Sequence, residues 1–530
     1  MRIAQAYGRA DIQDHWDAIV IGSGVGGLTT AALLARFAGQ RVLVLERHFQ
    51  PGGFTHVFRR PGWEWDVGVH YVGQVHSPQA TVRRLFDVLT QGRLRWSPLP
   101  DVYDRIHIAD RSYDLPSGLQ RLRQQLHEYF PKEGRALKGY FAAIQSVNRW
   151  IYPYMAEKVL PWPAWLGGPL RWPLLGWARR TTAEVLSSLT DNAELKAVLT
   201  GQWGDYGLPP GQSSFVAHAL VASHYFQGAG YPVGGSSQIA ASLVPTIEAV
   251  GGRVLVQAEV QSIVIERDRA VGVLMADGRR LRSPFIVSNA GAANTFGRLL
   301  PPELPLSQTV RAQLRKIPPS MGHLCLYAGV ELLDGEQPPE GTNLWIYPGP
   351  DHDANVRQFM ADPSQAFPVL FLSFPSRKDP TFCQRYPGRY TLEAVAPVPY
   401  SAFAAWEGTR WKRRGADYDR FKSSWEQRLV EGLQARLPQL RGRLAYRELS
   451  TPLSTLTFTA HPQGQIYGLS QVPQRFLQRW GPRTGLPGLF LSGSDACVSG
   501  VAGAAMGGVM AALALVGPAL LRNWKKALSD

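Results

Sequence analysis

The stretch DAIVIGSGVGGLTTAALLARFAGQRVLVLE, residues 17–46, decides the fold of this chain. An apolar strand is followed by a glycine-rich turn, an Ala/Leu-rich helix and a second apolar strand that ends in Glu46. The change from strand to helix and back to strand predicts one βαβ unit of the Rossmann-like type.

The glycines of the turn have separate tasks in such a unit. Gly22 permits the tight turn, Gly24 lets the backbone approach a pyrophosphate, and Gly27 lets the helix pack closely on the strand. The helix N-terminus then receives the phosphates. Glu46 lies at the tip of the second strand, where its carboxylate can accept hydrogen bonds from both hydroxyls of an adenosine ribose. The predicted dinucleotide site comprises Gly22, Ser23, Gly24, Gly26, Gly27 and Glu46.

Composition limits the class of protein. With 530 residues, of which 45% are hydrophobic and 18% charged, the chain can bury a large core and form two or more folding units. Its three cysteines are too widely spaced for a zinc site or a disulfide framework. The net charge is +15, but the sequence has no motif that reads a nucleic-acid groove, so we expect no nucleic-acid partner. We favour an anionic membrane surface as the partner of this positive charge.

Two further segments carry a family resemblance. Residues 46–53, ERHFQPGG, place a second glycine pair just after the acidic strand end, and residues 488–508, GLFLSGSDACVSGVAGAAMGG, read as strand, turn and small-residue helix. With the first stretch, they resemble the flavin motifs of the amine oxidase and phytoene desaturase superfamily. The resemblance implies non-covalent FAD and an α/β fold, in which a three-layer, Rossmann-like FAD-binding domain is interleaved with an α+β substrate domain.

The resemblance also implies roles for individual residues. Arg47 would contribute near the ribose or phosphates, the Val260 backbone would meet the adenine, and Asp495 would accept a hydrogen bond from the ribityl chain. A helix beginning near Gly503 would aim its N-terminus at the flavin pyrimidine edge, where negative charge develops on reduction. The other implied cofactor contacts are Gly52, Gly53, Gly493 and Ala504.

The same resemblance implies how the chain is divided. Its segments would be a first FAD-binding segment at 11–100, a substrate and membrane-facing segment at 101–230, a second FAD-binding segment at 231–300, a further substrate segment at 301–450 and a C-terminal FAD-binding segment at 451–520. The sequence has no second glycine fingerprint, so we expect no separate NAD(P)H domain, although NAD(P) can still be the electron partner.

Four shorter segments look closest to the retinol saturase and carotenoid isomerase-like branch. They are DVGVHYVG at 66–73, GDYG at 204–207, YPVGG at 231–235, and Gly464 with IYGL at 466–469. The resemblance implies a flavin oxidoreductase that acts on a conjugated isoprenoid, a lipophilic polyene, and adds hydrogen across one C=C bond.

That reaction needs a general acid near the reacting carbon. His70 and Tyr71 are the first candidates because they follow the predicted flavin-side strand, and the alternative is that both are structural. Tyr206, His224 and Tyr467 are further candidates.

Three rival functions stay open at this stage. The first is a desaturase or a redox-neutral cis–trans isomerase that uses the same flavin. The second is an amine oxidase, against which the DVGVHYVG and GDYG segments argue. The third is a non-catalytic prenyl-binding escort protein, which would not need the intact flavin motifs present here.

Two segments bear on membrane contact. Trp150 to Arg180 interleaves tryptophans with prolines and basic residues, which suits a membrane interface, a substrate tunnel or a core, and its prolines forbid one long spanning helix. Val501 to Leu521 has no charge over 21 residues, yet its Gly and Ala content favours a buried helix. Since no export signal is readable, we expect a cytoplasmic, peripherally membrane-associated protein.

Overall fold

The computed structural model describes residues 3–160, 164–318, 320–478 and 481–527. Six parallel strands from distant regions of the chain form the central sheet of the first unit. In spatial order they are Gln5–Ala6, Arg253–Val256, Val42–Leu45, Ala18–Ile21, Ile286–Ser288 and Leu489–Leu491. The two strands of the βαβ unit are buried along their whole length, which explains their unbroken Val/Ile/Leu runs.

Two more layers cover this sheet. On one face, apolar side chains such as Val20 and Val44 share a core with three helices, Val25–Ala38, Gln238–Glu248 and Gly500–Val516. On the other face, Ile19 and Leu43 share a core with a small antiparallel sheet of Val260–Glu266, Arg269–Met275 and Arg280–Arg282. The first unit therefore has three layers.

A seven-stranded mixed sheet forms the second unit. Its strand order is Leu444–Ser450, Gly322–Glu331, Arg389–Val398, Leu370–Ser373, Asn343–Tyr347, Val102–Ile108 and Arg111–Pro116. On one face pack the helices Leu119–Tyr129, Gly134–Val159, Ala164–Ala178, Thr182–Ser187, Ala193–Leu199 and Phe215–His224. The helix Ala416–Arg436 packs on the other face.

Shorter elements connect the two units. Val72–Gly73, Ala229–Pro232 and Trp96–Pro98 form a three-stranded antiparallel sheet, and Val57–Arg60 pairs with Trp63–Asp66. The remaining helices are Thr81–Thr90, Ala292–Asn294, Pro305–Leu314, His352–Ala361, Pro375–Lys378, Phe382–Arg385, Pro452–Thr459, Pro473–Leu477 and Ala519–Ala527.

The predicted fold class is confirmed, because a Rossmann-like unit alternates along the chain with a second α+β unit. The exact boundaries of the five predicted segments stay a prediction. The apolar segment from Val501 lies in the helix Gly500–Val516, which packs on the first unit. Within the described ranges, no helix has both the length and the apolarity needed to cross a membrane.

Candidate active site

A cavity of about 510 Å³ lies where the two units meet. One side of its lining is the glycine turn of the first unit, and another is the inner surface of the second unit. The first side we call the backbone wall; most of the residues in the ranges 21–26, 45–56, 258–260, 289–291 and 492–506 line it, with Ser23 and Gly493 among the exceptions. The second side we call the polar wall, formed by His70, Tyr71, Asp205 and Tyr225 together with the groups they contact.

The backbone wall is shaped by close approaches between glycines. Gly22 has a φ of +95°, which only glycine adopts readily, and Gly24 pairs with Gly52 as an isolated bridge. A Cβ atom on Gly26 would meet the Gly493 backbone far inside van der Waals distance, whereas one on Gly24 would meet only the Asn289 side-chain amide, at 2.7 Å. Gly24 lines the cavity, and because it has no side chain it leaves space there for a ligand, as a phosphate-binding turn requires.

Gly27 serves packing and does not reach the cavity. A Cβ atom there would collide with the Gly22 carbonyl oxygen, so glycine is needed for the helix to approach the strand. Gly493 likewise packs against Asn289 and lies outside the cavity lining, while its φ of +80° shapes the turn after the last strand.

Glu46 ties the first turn to the loop that follows it. Its Oε2 accepts hydrogen bonds from the Ser23 N–H at 2.9 Å and the Ser23 hydroxyl at 2.7 Å, and its Oε1 accepts from the His48 N–H at 2.8 Å. Ser23 Oγ also accepts from the Gly52 N–H at 3.1 Å, so Ser23 is a structural link that lies behind the lining. Glu46 itself lines the cavity, beside Arg47, Gly52, Gly53 and Val260.

Asp495 joins three regions of the chain at the other side of the backbone wall. Its Oδ1 accepts from the Leu469 N–H at 2.9 Å and its Oδ2 from the Ala292 N–H at 2.7 Å. Sequence reasoning missed Arg475, which is buried and donates to the carbonyl oxygens of Leu469, Ser494 and Cys497. No motif signals this arginine.

The helix Gly500–Val516 does not begin where the sequence predicted. It begins at Gly500 rather than near Gly503, because Ser499 in extended conformation already ends the preceding turn. Its first turn, including Gly503 and Ala504, lines the cavity. The helix N-terminus is thus available to a negatively charged group.

Tyr71 is the centre of the polar wall. Its hydroxyl lies 2.9 Å from Asp104 Oδ2 and 3.2 Å from Asp205 Oδ2, and its ring packs on Tyr225 with centroids 4.6 Å apart. Tyr71 and Asp205 both line the cavity. Burial, followed by the Asp104 charge, raises the pKa of Asp205 to about 8.

His70 lies next to a buried carboxyl group. Its Nδ1 is 3.0 Å from Glu393 Oε2, and its ring meets Phe371 edge-on. Burial lowers the pKa of His70 to about 3, and burial raises the pKa of Glu393 to about 8. The imidazole is therefore neutral near pH 7.

Lys378 and Asp66 lie behind these groups. The Lys378 ammonium donates to the His70 carbonyl oxygen at 2.9 Å, to Ser373 Oγ at 2.7 Å and to Asn343 Oδ1. Burial lowers the pKa of Lys378 to about 7 and raises that of Asp66 to about 7. Sequence reasoning named His70 and Tyr71 but missed the charged groups around them, of which Asp66 and Asp205 lay in segments that it had singled out, DVGVHYVG and GDYG.

The three further acid candidates are not equivalent. The Tyr206 hydroxyl faces His218 Nδ1 at 3.2 Å and lies outside the cavity lining. His224 Nε2 accepts from the Gly73 N–H at 2.8 Å, and the Tyr467 hydroxyl donates to the Gly204 carbonyl oxygen. His224 and Tyr467 do line the cavity, but His224 Nε2 and the Tyr467 hydroxyl are already bonded to the backbone.

Much of the rest of the lining is apolar. Side chains such as Ile151, Met155, Leu220, Val369 and Phe371 extend the cavity away from the glycine turn. In the portion of the chain that the structure describes, no cluster of His, Cys, Asp and Glu could hold a metal ion.

Comparison with known proteins agrees with this arrangement. Residues 20–89 match the NAD(P)-binding Rossmann-like domain family. The all-trans-retinol 13,14-reductase of Danio rerio is 32% identical, over 95% of this chain and 86% of that protein. The chloroplastic prolycopene isomerase of Arabidopsis thaliana is 26% identical, over 94% of this chain and 82% of that protein.

Among solved structures, the cyclohexylamine oxidase of Brevibacterium oxydans IH-35A matches 97% of this chain and 100% of its own, with a TM-score of 0.61 and 19% identity. That likeness shows the fold alone. The reductase match extends over nearly the whole of both chains, and it confirms the branch to which the sequence pointed. The chain belongs to the all-trans-retinol 13,14-reductase family of oxidoreductases.

Proposed function

We propose that this protein is an FAD-dependent oxidoreductase that adds hydrogen across one C=C bond of a conjugated isoprenoid, a retinoid or a carotenoid. One observation carries the proposal: a single cavity is lined on one side by a glycine turn and on the other by Tyr71 and by apolar side chains such as Leu220 and Phe371. The two sides match what the reaction needs, a dinucleotide and a proton donor beside a lipophilic chain.

The residues present fit FAD. The open side of Gly24 and the N-terminus of the helix Val25–Ala38 would hold the pyrophosphate, and Glu46 would bind the adenosine ribose. The first turn of the helix Gly500–Val516 would lie near the flavin ring. Bound FAD, when reduced, supplies the hydride.

We propose that the flavin is attached non-covalently, and the state of the cavity thiol Cys497 supports this. Cys497 is buried at the cavity, and burial raises its pKa to about 11. The thiolate, which is the nucleophilic form, is therefore scarce near pH 7. Acid precipitation should release the flavin into the supernatant, and colour retained in the pellet would contradict non-covalent binding.

The chain's own residues would orient the polyene and deliver the proton. The apolar lining offers no charged partner to a hydrocarbon chain, and Tyr71 and His70 border it. Since the His70 imidazole is neutral, we assign proton delivery to the Tyr71 hydroxyl and a positioning role to His70. NAD(P) would serve only as an external electron donor.

The direction of the reaction separates this proposal from its rivals. Anaerobic incubation of the reduced, flavin-loaded protein with retinoids and carotenoids, followed by mass analysis, should give a product heavier by two hydrogens. Loss of two hydrogens would indicate a desaturase, and unchanged mass with altered retention an isomerase. Oxidation of amines would favour an amine oxidase, and a colourless protein that holds a polyene would be an escort protein.

We further propose peripheral membrane binding through the helices near the apolar end of the cavity. Tyr152, which lines the cavity, is 55% exposed, and Trp172 on the helix Ala164–Ala178 is 75% exposed. Amphipathic aromatics of this kind suit the headgroup region. Two tryptophans on which the sequence argument relied give no further help, since Trp162 and the Trp165 side chain lie outside the described residues.

Vesicle sedimentation tests this surface. With anionic vesicles, Tyr152→Ser combined with Trp172→Ser should shift protein several-fold toward the supernatant, and high salt should weaken the binding of the wild type without abolishing it. Leu333→Ser is the control, because Leu333 is 66% exposed but lies in another region of the chain. Equal loss in the control would contradict a specific surface.

A further inference from the structure

The contacts of Tyr71 require a shared proton. Its hydroxyl carries one hydrogen but lies within hydrogen-bond distance of two carboxyl groups, Asp104 at 2.9 Å and Asp205 at 3.2 Å. If both carboxyls were ionised, one of them would face only a lone pair of the hydroxyl oxygen. Both contacts become hydrogen bonds when one carboxyl is protonated and donates to that oxygen.

The partners of the two carboxyls decide which one carries the proton. Asp104 accepts from the Gln202 amide at 2.7 Å and the Asn343 amide at 2.8 Å, and Asn343 in turn accepts from the Lys378 ammonium. These donors stabilise an ionised Asp104. Among the described residues, Asp205 has beside it the hydroxyls of Tyr71 and Tyr225 and the charge of Asp104, but no amide or ammonium donor. Its position therefore favours the protonated form.

Charge in the polar wall supports the same assignment. Asp66, Asp104 and Glu393 lie around the buried ammonium of Lys378, and Asp205 lies next to Asp104, across the Tyr71 hydroxyl. Four ionised carboxylates against one cation would leave a large uncompensated charge in a low-dielectric region. The other titratable groups near Asp205 are neutral phenols near pH 7: Tyr71, Tyr103, Tyr206, Tyr225, Tyr347 and Tyr467.

We propose that Asp205 stores the proton that Tyr71 delivers into the cavity, an inference that rests on the proposed function for its use in the reaction. As the Tyr71 O–H bond breaks, a C–H bond forms at one carbon of the polyene, and the Asp205 O–H proton moves to the Tyr71 oxygen. Reduced FAD, held by the backbone wall, would supply the electron pair as hydride to the other carbon, and an external two-electron reductant would restore it. Asp205 then regains its proton from water.

Infrared spectroscopy of the full, flavin-loaded chain reads this proton without turnover. The difference between wild type and Asp205→Asn should contain one protonated-carboxyl band, which disappears as the pH rises through about 8. Asp353→Asn is the matched control, because Asp353 accepts from the Gly211 N–H outside the cavity, and its difference spectrum should lack that band. Absence of the band in the Asp205→Asn difference would overturn the proposal.

A second variant keeps the test decisive if Asp205→Asn loses its flavin. Tyr71→Phe removes the bridging hydroxyl, so the band should shift, and an unshifted band would overturn the role of Tyr71. Turnover separates this proposal from the function on which it rests. If the wild type shows the band but reduces no polyene, only the proposed function is refuted. If Asp205→Asn turns over with the same pH profile as the wild type, only the proposal that Asp205 stores the proton is refuted.

Discussion

The backbone wall and the polar wall of the cavity are built in opposite ways. The backbone wall depends on the absence of side chains. Gly24 leaves room for a ligand, and Gly26 leaves room for the backbone of Gly493 after the last strand. The polar wall depends on side chains, among them Tyr71, Asp104 and Asp205, which hydrogen bonds link to one another and to their neighbours. Substitutions in the first should therefore change what binds, and substitutions in the second should change what happens after binding.

The largest effect is expected for Gly24→Val. The new side chain would point into the space of the pyrophosphate while displacing only the Asn289 side chain, so the chain should fold but carry almost no flavin. Flavin content per chain after purification measures this. Gly297→Val is the control, since a Cβ atom there meets no described atom within 4 Å. Normal flavin content in Gly24→Val would show that the turn does not hold the cofactor.

Glu46→Ala should have a smaller effect on the same wall. The cavity loses a charged acceptor, and the Ser23 and His48 N–H groups lose their partner, so we expect FAD binding to weaken by about 1 to 3 kcal/mol. A flavin titration of the apoprotein gives the value. Glu46→Gln, which keeps one acceptor oxygen, should lie between wild type and Glu46→Ala. Equal affinity in all three would remove Glu46 from the site.

A third effect concerns stability and sharpens the account of the polar wall. The pKa of Asp205 is about 8 in the folded chain, against 3.8 for an ordinary aspartate. Between these values the folded chain keeps a proton that the unfolded chain releases, so this group makes the free energy of unfolding fall as the pH rises. In Asp205→Asn the free energy of unfolding should fall less steeply with pH, and the difference in slope should correspond to about one proton. Urea unfolding across this window measures it, and identical slopes would contradict a protonated Asp205.

The sequence could indicate the first part of the backbone wall because that part is contiguous. The turn from Gly22 to Gly27 and the acid at Glu46 belong to one βαβ unit, so spacing alone relates them. The inner contacts were not predictable in the same way. Nothing in the spacing indicates that Ser23 bonds Glu46, or that Asp495 is held by backbone N–H groups of Leu469 and Ala292.

The polar wall was largely hidden because its members are far apart in the chain. Asp104, Asn343 and Glu393 lie on three strands of the seven-stranded sheet, where a polar residue in an apolar run gives no sign of its partners. Lys378 ends a short helix and becomes buried only through the packing of that sheet. Sequence segments pointed to His70, Tyr71 and Asp205, but the pairing of Tyr71 with two carboxyls depends on the tertiary structure.

We propose that the backbone wall binds the flavin and that the polar wall delivers the proton. The most direct test of these separate roles is Tyr71→Phe in a single anaerobic turnover. Reduced, flavin-loaded protein is mixed with all-trans-retinol, and flavin reoxidation is followed together with the mass of the product. We predict wild-type flavin content and a reoxidation rate lower by about 10² to 10⁴, because the phenyl ring binds in the same place but has no proton to give. Reoxidation at the wild-type rate, or a loss of activity that merely follows a loss of flavin, would contradict the account.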